Sequence, residues 1–220
     1  MFNTLQMLIE PTLETICMTI VSTIFALILG FPVGTLLCVT SAGNLIPNAT
    51  LNSVLGRVVN VLRSFPFIIL MIVIFPLSRL IVGTSIGTAA TIVSLSFAAT
   101  PFIARIIESA LKETSSELIQ AAKAMGSTNA QIVFKVIIPE SCPAIVSGIT
   151  LMIITIIGYS AMAGAIGGGG LGDLAIRYGY QRFRMDIMIW AVSIIVIMVE
   201  LVQFLGDKIV DKIMIKRGMR

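Results

Sequence analysis

Two long stretches without a charged residue set the terms for this fold. Residues 16–39 and residues 141–172 contain no Asp, Glu, Lys or Arg. A helix needs about 20 apolar residues to cross a hydrocarbon core about 30 Å thick, and both stretches are long enough. Across the chain 57% of residues are apolar and only 12% charged, against about 25% charge in ordinary soluble domains. Lipid is therefore the solvent for most of the surface. We expect an all-α, polytopic membrane fold with five transmembrane helices, at about 16–39, 58–77, 86–105, 144–166 and 187–206. Gly30, Pro32 and Gly34 are expected to bend or thin the first span for a neighbour, and Pro66 and Pro76 to kink the second. Residues 1–12 lack Lys and Arg and no small-residue cleavage site follows, so they read as an external N-terminus rather than a cleavable signal.

Five spans place the termini on opposite sides, and the basic residues choose between the two orientations. With the loop after the third span inside, Arg57, Arg63, Arg105, Lys112, Lys123, Lys135, Lys208, Lys212, Lys216, Arg217 and Arg220 are cytoplasmic. Arg79, Arg177, Arg182 and Arg184 remain outside. Eleven of the fifteen Lys and Arg residues on one side is a clear positive-inside bias. The tail, residues 207–220, then reads as a basic cytoplasmic anchor facing anionic membrane lipid.

The loop after the third span is a water-compatible island with legible local chemistry. Thr114 and Glu117 have the spacing of a capping box, so a helix should begin near Ser115. It should end at Gly126 in a left-handed cap. Thr128 and Gln131 repeat the capping-box spacing, and a second short helix should run until Ile138 meets Pro139. The product is a helix-glycine-helix elbow over about 114–139.

Several chemistries are disfavoured. The chain has no histidine, and its three cysteines, Cys17, Cys38 and Cys142, lie far apart without metal-ligand spacing. They read as packing residues, and no metal site is expected. No basic run is interleaved with stacking aromatics, which argues against nucleic-acid binding. The cluster Gly167-Gly168-Gly169-Gly170 continues as Leu171-Gly172-Asp173, whereas a phosphate loop would end Gly-Lys-Ser/Thr. It reads instead as an external turn with close backbone packing. Glu200, an acid inside the fifth span, is expected to pair with a Lys or Arg of a neighbouring helix. A role on a proton path is the alternative.

The pattern Gln120-Ala121-Ala122, three residues, Gly126, nine residues, Val136-Ile137-Ile138-Pro139 resembles the EAA loop of type I ABC importer permeases. That loop usually opens with Glu and closes with Ile-x-Leu-Pro, so Gln120, Val136 and Ile138 are departures while the spacing is intact. The strings Phe65-Pro66-Phe67-Ile68-Ile69-Leu70, Ile81-Val82-Gly83-Thr84-Ser85-Ile86-Gly87, Pro101-Phe102-Ile103-Ala104-Arg105 and Gly158-Tyr159-Ser160-Ala161-Met162 occur in order. Gly169-Gly170-Leu171-Gly172 and Tyr178-Gly179-Tyr180 follow. Together they are similar to the methionine-importer branch of that family along nearly the whole chain.

The resemblance implies a permease domain over about 12–206 that is not an enzyme and binds no cofactor itself. ATP and Mg would be used by two cytoplasmic ABC ATPase subunits, contacted through Gln120, Ala121, Ala122, Lys123, Gly126 and Pro139. It implies a second copy of the chain to enclose the path, and an external substrate-binding protein or lipoprotein docking on about 167–186. Tyr159, Ser160 and Met162 would line or gate the path, with Met162 as a flexible outer plug, since thioether side chains repack easily. The cargo would be an amino acid, methionine foremost. A permease for another small polar solute and an ion-coupled secondary transporter are the competing readings.

Overall fold

The computed structural model describes residues 2–217, and all of their regular structure is helical. Met1 and Arg220, the last basic residue of the expected anchor, lie outside the described residues. The first helix, α1 (Phe2–Val39), is longer than the expected span because residues 2–12 continue it without a break. They extend the first helix rather than forming an element of their own. Leu8 is buried against Leu171, Leu174 and Ile187, so the N-terminal turns are held by packing. Thirty-eight residues make a rod of about 57 Å, well beyond one hydrocarbon core. Pro11 and Pro32 both lie within it.

The second expected span is not one helix. α2 (Ala49–Ser64), N-capped by Asn48, and α3 (Phe67–Val82) meet at 106°. Pro66 has no N–H and holds Phe65 in extended conformation, so the helical ladder stops there rather than merely bending. Pro76, by contrast, sits inside α3 without ending it.

α4 (Thr88–Lys112) is the axis of the molecule. Leu95, Ala98, Ala99, Ile103 and Ile107 on it are buried, and α1 runs alongside for most of its length. Small residues make that approach possible. A Cβ at Gly30 would stand 2.7 Å from the Thr100 carbonyl, and one at Gly34 would collide with the Ala104 carbonyl. Ser22 Oγ adds a hydrogen bond to the Ile92 carbonyl at 3.2 Å. The close passage of α1 over α4 is thus a matter of missing side chains, as is common between membrane helices.

After α4 come the elbow helices α5 (Ser116–Ala124), α6 (Asn129–Ile132) and α7 (Ile138–Glu140), with a π-helical turn, Val133–Ile137, between the last two. α8 (Cys142–Gly164) crosses back antiparallel to α4. A short α9 (Gly170–Leu174) and a second π-helical turn, Ala175–Tyr180, lead to α10 (Met185–Lys216). Among the described residues, α1, α4, α8 and α10 are each long and apolar enough to cross a membrane, and the bent α2–α3 pair makes a fifth candidate. α10 buries only Ile187, Ala191 and Gly206 and exposes Ile189, Trp190, Val192, Val196 and Ile197. Such a face belongs in hydrocarbon.

The α1–α4 seam yields a prediction. Gly34→Val should overpack the crossing and destabilise the chain by about 1–3 kcal/mol. Thermal unfolding in detergent checks this. An unchanged melting temperature would show that the two helices can separate without cost.

Candidate functional site

The elbow is built almost entirely by its caps. Ser115, not Thr114, caps α5, accepting from Leu118 N–H at 3.3 Å. The cap therefore sits one residue late, and with Leu118 at the box's second position the expected capping box does not form. Thr114 is buried, and its hydroxyl instead meets that of Ser141 at 3.0 Å, joining the two ends of the elbow. Glu117 remains in the first turn. Hydrogen bonds from its own backbone N–H and from the Ser115 and Ser116 hydroxyls hold its carboxyl below the ordinary range.

At the other end of α5 the chain reverses at Gly126, whose φ of +79° is a left-handed conformation that side chains disfavour. Gly126 N–H bonds to the Lys123 carbonyl at 2.9 Å and Ser127 N–H to the Ala122 carbonyl at 3.1 Å. This pair of bonds is a complete Schellman closure. Thr128 and Gln131 form both halves of their capping box.

The second elbow helix does not stop at Ile138 as expected. It widens into the π turn, with Ile138 N–H on the Val133 carbonyl, and passes through Pro139 to Glu140. The wide turn accommodates a proline whose ring and missing N–H would disrupt an ordinary α turn at the Lys135 carbonyl.

The elbow presents two kinds of surface. Gln120, Ala121, Lys123 and Gly126 are exposed and Pro139 is half-buried, whereas Ala122 is only 3% exposed and packs into the chain's own core. Ala122 is therefore not available to an outside surface. Met125 at 79% and Phe134 at 69% exposure, with Leu118 also exposed, put large apolar groups on this otherwise polar segment. Apolar patches of that kind mark contact surfaces.

At the opposite end of the bundle, the glycine cluster is pinned from both sides. Gly87 N–H bonds to the Gly167 carbonyl, and the Thr91 hydroxyl to the Gly168 carbonyl, both at 3.0 Å. Gly170 N–H donates to Glu14 Oε2 at 2.7 Å and Leu171 N–H to Thr15 Oγ1 at 2.9 Å. These amides are occupied, so the loop is a packed strap rather than a phosphate cradle. Beyond it, Tyr180, Phe183 and Met185 are strongly exposed, and Phe183 holds a φ of +55°. Arg184 pairs with Asp186 at 2.6 Å.

Between the two ends, Ser147, Leu151, Gly158, Met162 and Ala165 form one exposed stripe along α8. Of the three expected path residues, Met162 lies on this stripe and is 49% exposed. Tyr159 beside it is stacked on Phe67, with ring centroids 4.4 Å apart. Ser160 is buried at 2% exposure, bonded to the Ile157 carbonyl, and faces the protein interior rather than the stripe. The elbow-side half of the stripe opens onto a groove of roughly 500 Å³ bounded by Arg63, Phe102, Arg105, Ser147 and Leu151.

A model of the family described as "binding-protein-dependent transport system inner membrane component" matches residues 27–216. The chain belongs to this family. A probable D-methionine transport system permease protein of Vibrio cholerae is 45% identical over 94% of this chain and 92% of its own length. The methionine import system permease protein of Bacillus subtilis is 46% identical, covering 80% and 81%. A permease chain in an inward-facing structure of a methionine ABC transporter is 48% identical, with a TM-score of 0.89 over 91% of this chain and 93% of that one. A more distant amino acid ABC transporter, 19% identical with a TM-score of 0.75, shares the fold.

Two acids of this permease differ from what its sequence suggested. Glu200 is exposed on α10 and makes no ion pair among the described residues, so the expected partner on a neighbouring helix is not found there. Glu108 had drawn no attention, yet it is buried and paired with both Arg105, at 2.5 Å, and Lys112, at 2.7 Å. Arg105 also reaches the Gly56 carbonyl and Asn60, tying α2 to α4. The signal was present: an acid with a cation three residues before it and another four after it occupies one helix face.

Glu108→Ala would leave two cations facing each other and should cost about 2 kcal/mol, discounted for the exposure of Lys112. Chemical or thermal unfolding in detergent reads the loss. A value near zero would mean that the cluster is only surface decoration.

Proposed function

We propose that this permease is the membrane subunit of an ATP-driven importer and forms the path by which an amino acid, methionine foremost, enters the cytoplasm. The observation that carries the reading is the elbow. It is a rigid, doubly capped unit with Met125 and Phe134 bare, on a chain without a phosphate loop of its own. A capped helix transmits a displacement that a flexible loop would absorb. The cargo printed in the names of its relatives supports methionine over other small solutes.

In this reading the N-terminus is external and the elbow and C-terminus are cytoplasmic, in line with the bias of Lys and Arg. Two copies of the chain enclose the path, with the exposed α8 stripe and Met162 facing it, and Tyr159 buttressed by Phe67. Each copy offers its elbow to one of two ATPase subunits, where ATP and Mg are bound. ATP binding draws the elbows together and opens the outer end, and hydrolysis and release return the pair to the inward state. An external binding protein delivers cargo onto the glycine strap and the Tyr180–Phe183–Met185 tip. Displaying strained, exposed Phe183 is reasonable only where a partner covers it.

The central experiment is to co-purify the chain with candidate ATPase subunits and measure ATP hydrolysis stimulated by binding protein loaded with different amino acids. Capture with methionine-dependent stimulation is expected, and failure to capture any ATPase would refute the proposal. Gly126→Pro removes the left-handed closure of α5, so the variant should insert normally but assemble poorly with the ATPase. Coupling that survived this change would show that the elbow is not the contact. Glu200→Gln should transport equally well with and without a proton gradient. Loss of gradient-dependent uptake would favour the ion-coupled alternative, which is supported by an exposed acid on α10 without an ion pair among the described residues.

A further inference from the structure

The C-terminal end of α10 does more than carry positive charge. Arg217, just past its last turn, reaches back to the base of the elbow. One of its terminal nitrogens donates to the Pro139 carbonyl and the other to the Glu140 carbonyl at 2.9 Å, with Glu140 Oε2 at 3.6 Å. The sequence leaves the Pro139 carbonyl without its α-helical partner, although the Ser141 N–H also turns toward it. In an unbroken α-helix the Pro139 carbonyl would receive the N–H of residue 143, and residue 143 is proline. The chain is in fact broken between α7 and α8 at Ser141. Carbonyls at a helix C-terminus carry partial negative charge, and a guanidinium fork can take two of them at once.

The position of this contact matters more than its strength. Ser141 joins the elbow to α8 and keeps helical bonds on both sides, its N–H to the Ile137 carbonyl and its carbonyl to the Ile145 N–H. The ladder lacks only the N–H that Pro143 cannot supply, and Arg217 adds a tie at that point. α10 is itself seated on α8 through Gly206, where an added Cβ would collide with Thr150. Elbow base, α8 and α10 therefore form a closed triangle whose third side is Arg217.

We propose that Arg217 is a positioning residue that locks the base of the elbow to α10, so that movement of the elbow is delivered to α10 as well as to α4 and α8, the two helices it connects. The proposal rests on the reading of the elbow as the ATPase contact. It also revises the expected role of the tail: Arg217 is spent on protein carbonyls and not on lipid headgroups.

The test uses the full permease with its ATPase and binding protein in nanodiscs, reading cargo imported per ATP hydrolysed. Arg217→Gln should still capture the ATPase, while import per ATP falls roughly threefold or more. Arg217→Lys, with one ammonium in place of a fork, should recover part of the loss. Lys212→Gln, a change in the same basic tail, should leave the ratio unchanged in both zwitterionic and anionic lipid. If Arg217→Gln assembles poorly, Pro143→Ala takes its place. It offers an N–H that competes with the guanidinium for the Pro139 carbonyl, and should lower the ratio with Arg217 intact. An unaltered ratio in Arg217→Gln overturns the proposal. So does an equal loss in Arg217→Gln and Lys212→Gln that tracks anionic lipid content, because the tail would then act through the membrane. If the unmodified chain captured no ATPase, the elbow reading would fail instead.

Discussion

Hydrocarbon offers no hydrogen bonds, so each backbone N–H and C=O that enters it must find a partner within the chain. That constraint turns nearly all of this sequence into helix. It also makes every interruption of the helices a place where some other group must do the hydrogen bonding. At several such places in the described chain that group can be named. Gly126 is closed by a Schellman pair. The glycine strap is tied down by Thr91, Glu14 and Thr15. The carbonyls around the Ser141 break are met by Arg217. The interruptions are also where the chain can contact other molecules or change shape, so the candidate functional elements coincide with the breaks.

Proline has several different outcomes in this molecule, and the surroundings decide among them. Pro66 ends a helix and sets α2 and α3 at 106°. Pro139 is absorbed by a π turn, and Pro143 starts α8 at a position where no intrahelical donor was needed. Its consequence appears four residues upstream, at a carbonyl left for the tail. Nothing local to Pro139 or Pro143 specifies a guanidinium 74 residues further along the sequence. The contact exists because α10 lies along α8 and brings its end to the elbow.

This separates what could be read in the sequence from what could not. Local features were legible: long uncharged runs, the Thr128–Gln131 box and the glycine cap at 126 depend on neighbours within a few residues. The Thr114 assignment failed because Ser115 offers an equivalent hydroxyl one residue on, and a distant hydroxyl, Ser141, decides which is free to cap. The buried role of Ala122 was hidden for a related reason. On a nine-residue helix with both polar and apolar positions, which side turns inward depends on the body it lies against. Ser160 shows the same limit inside the membrane. It adjoins Tyr159 in sequence, but one residue of helix is a turn of about 100°, enough to move a side chain from the path-side stripe into the core.

The exposed faces carry a further argument. α10 turns Ile189, Val192, Val196 and Ile197 outward, a uniform surface suited to acyl chains. The outward line of α8 is different in kind, mixing Ser147, Gly158 and Ala165 with Leu151 and Met162. Small and polar residues gain little from lipid, whereas they allow another helix to come close or water to pass. The groove at its elbow-side end adds two guanidinium groups, of which Arg63 lies over the Phe102 ring. A single copy therefore has one face finished against lipid and one that is not. The unfinished face is where the proposed second copy would complete a path, and its elbow-side end lies above the joint that Arg217 braces.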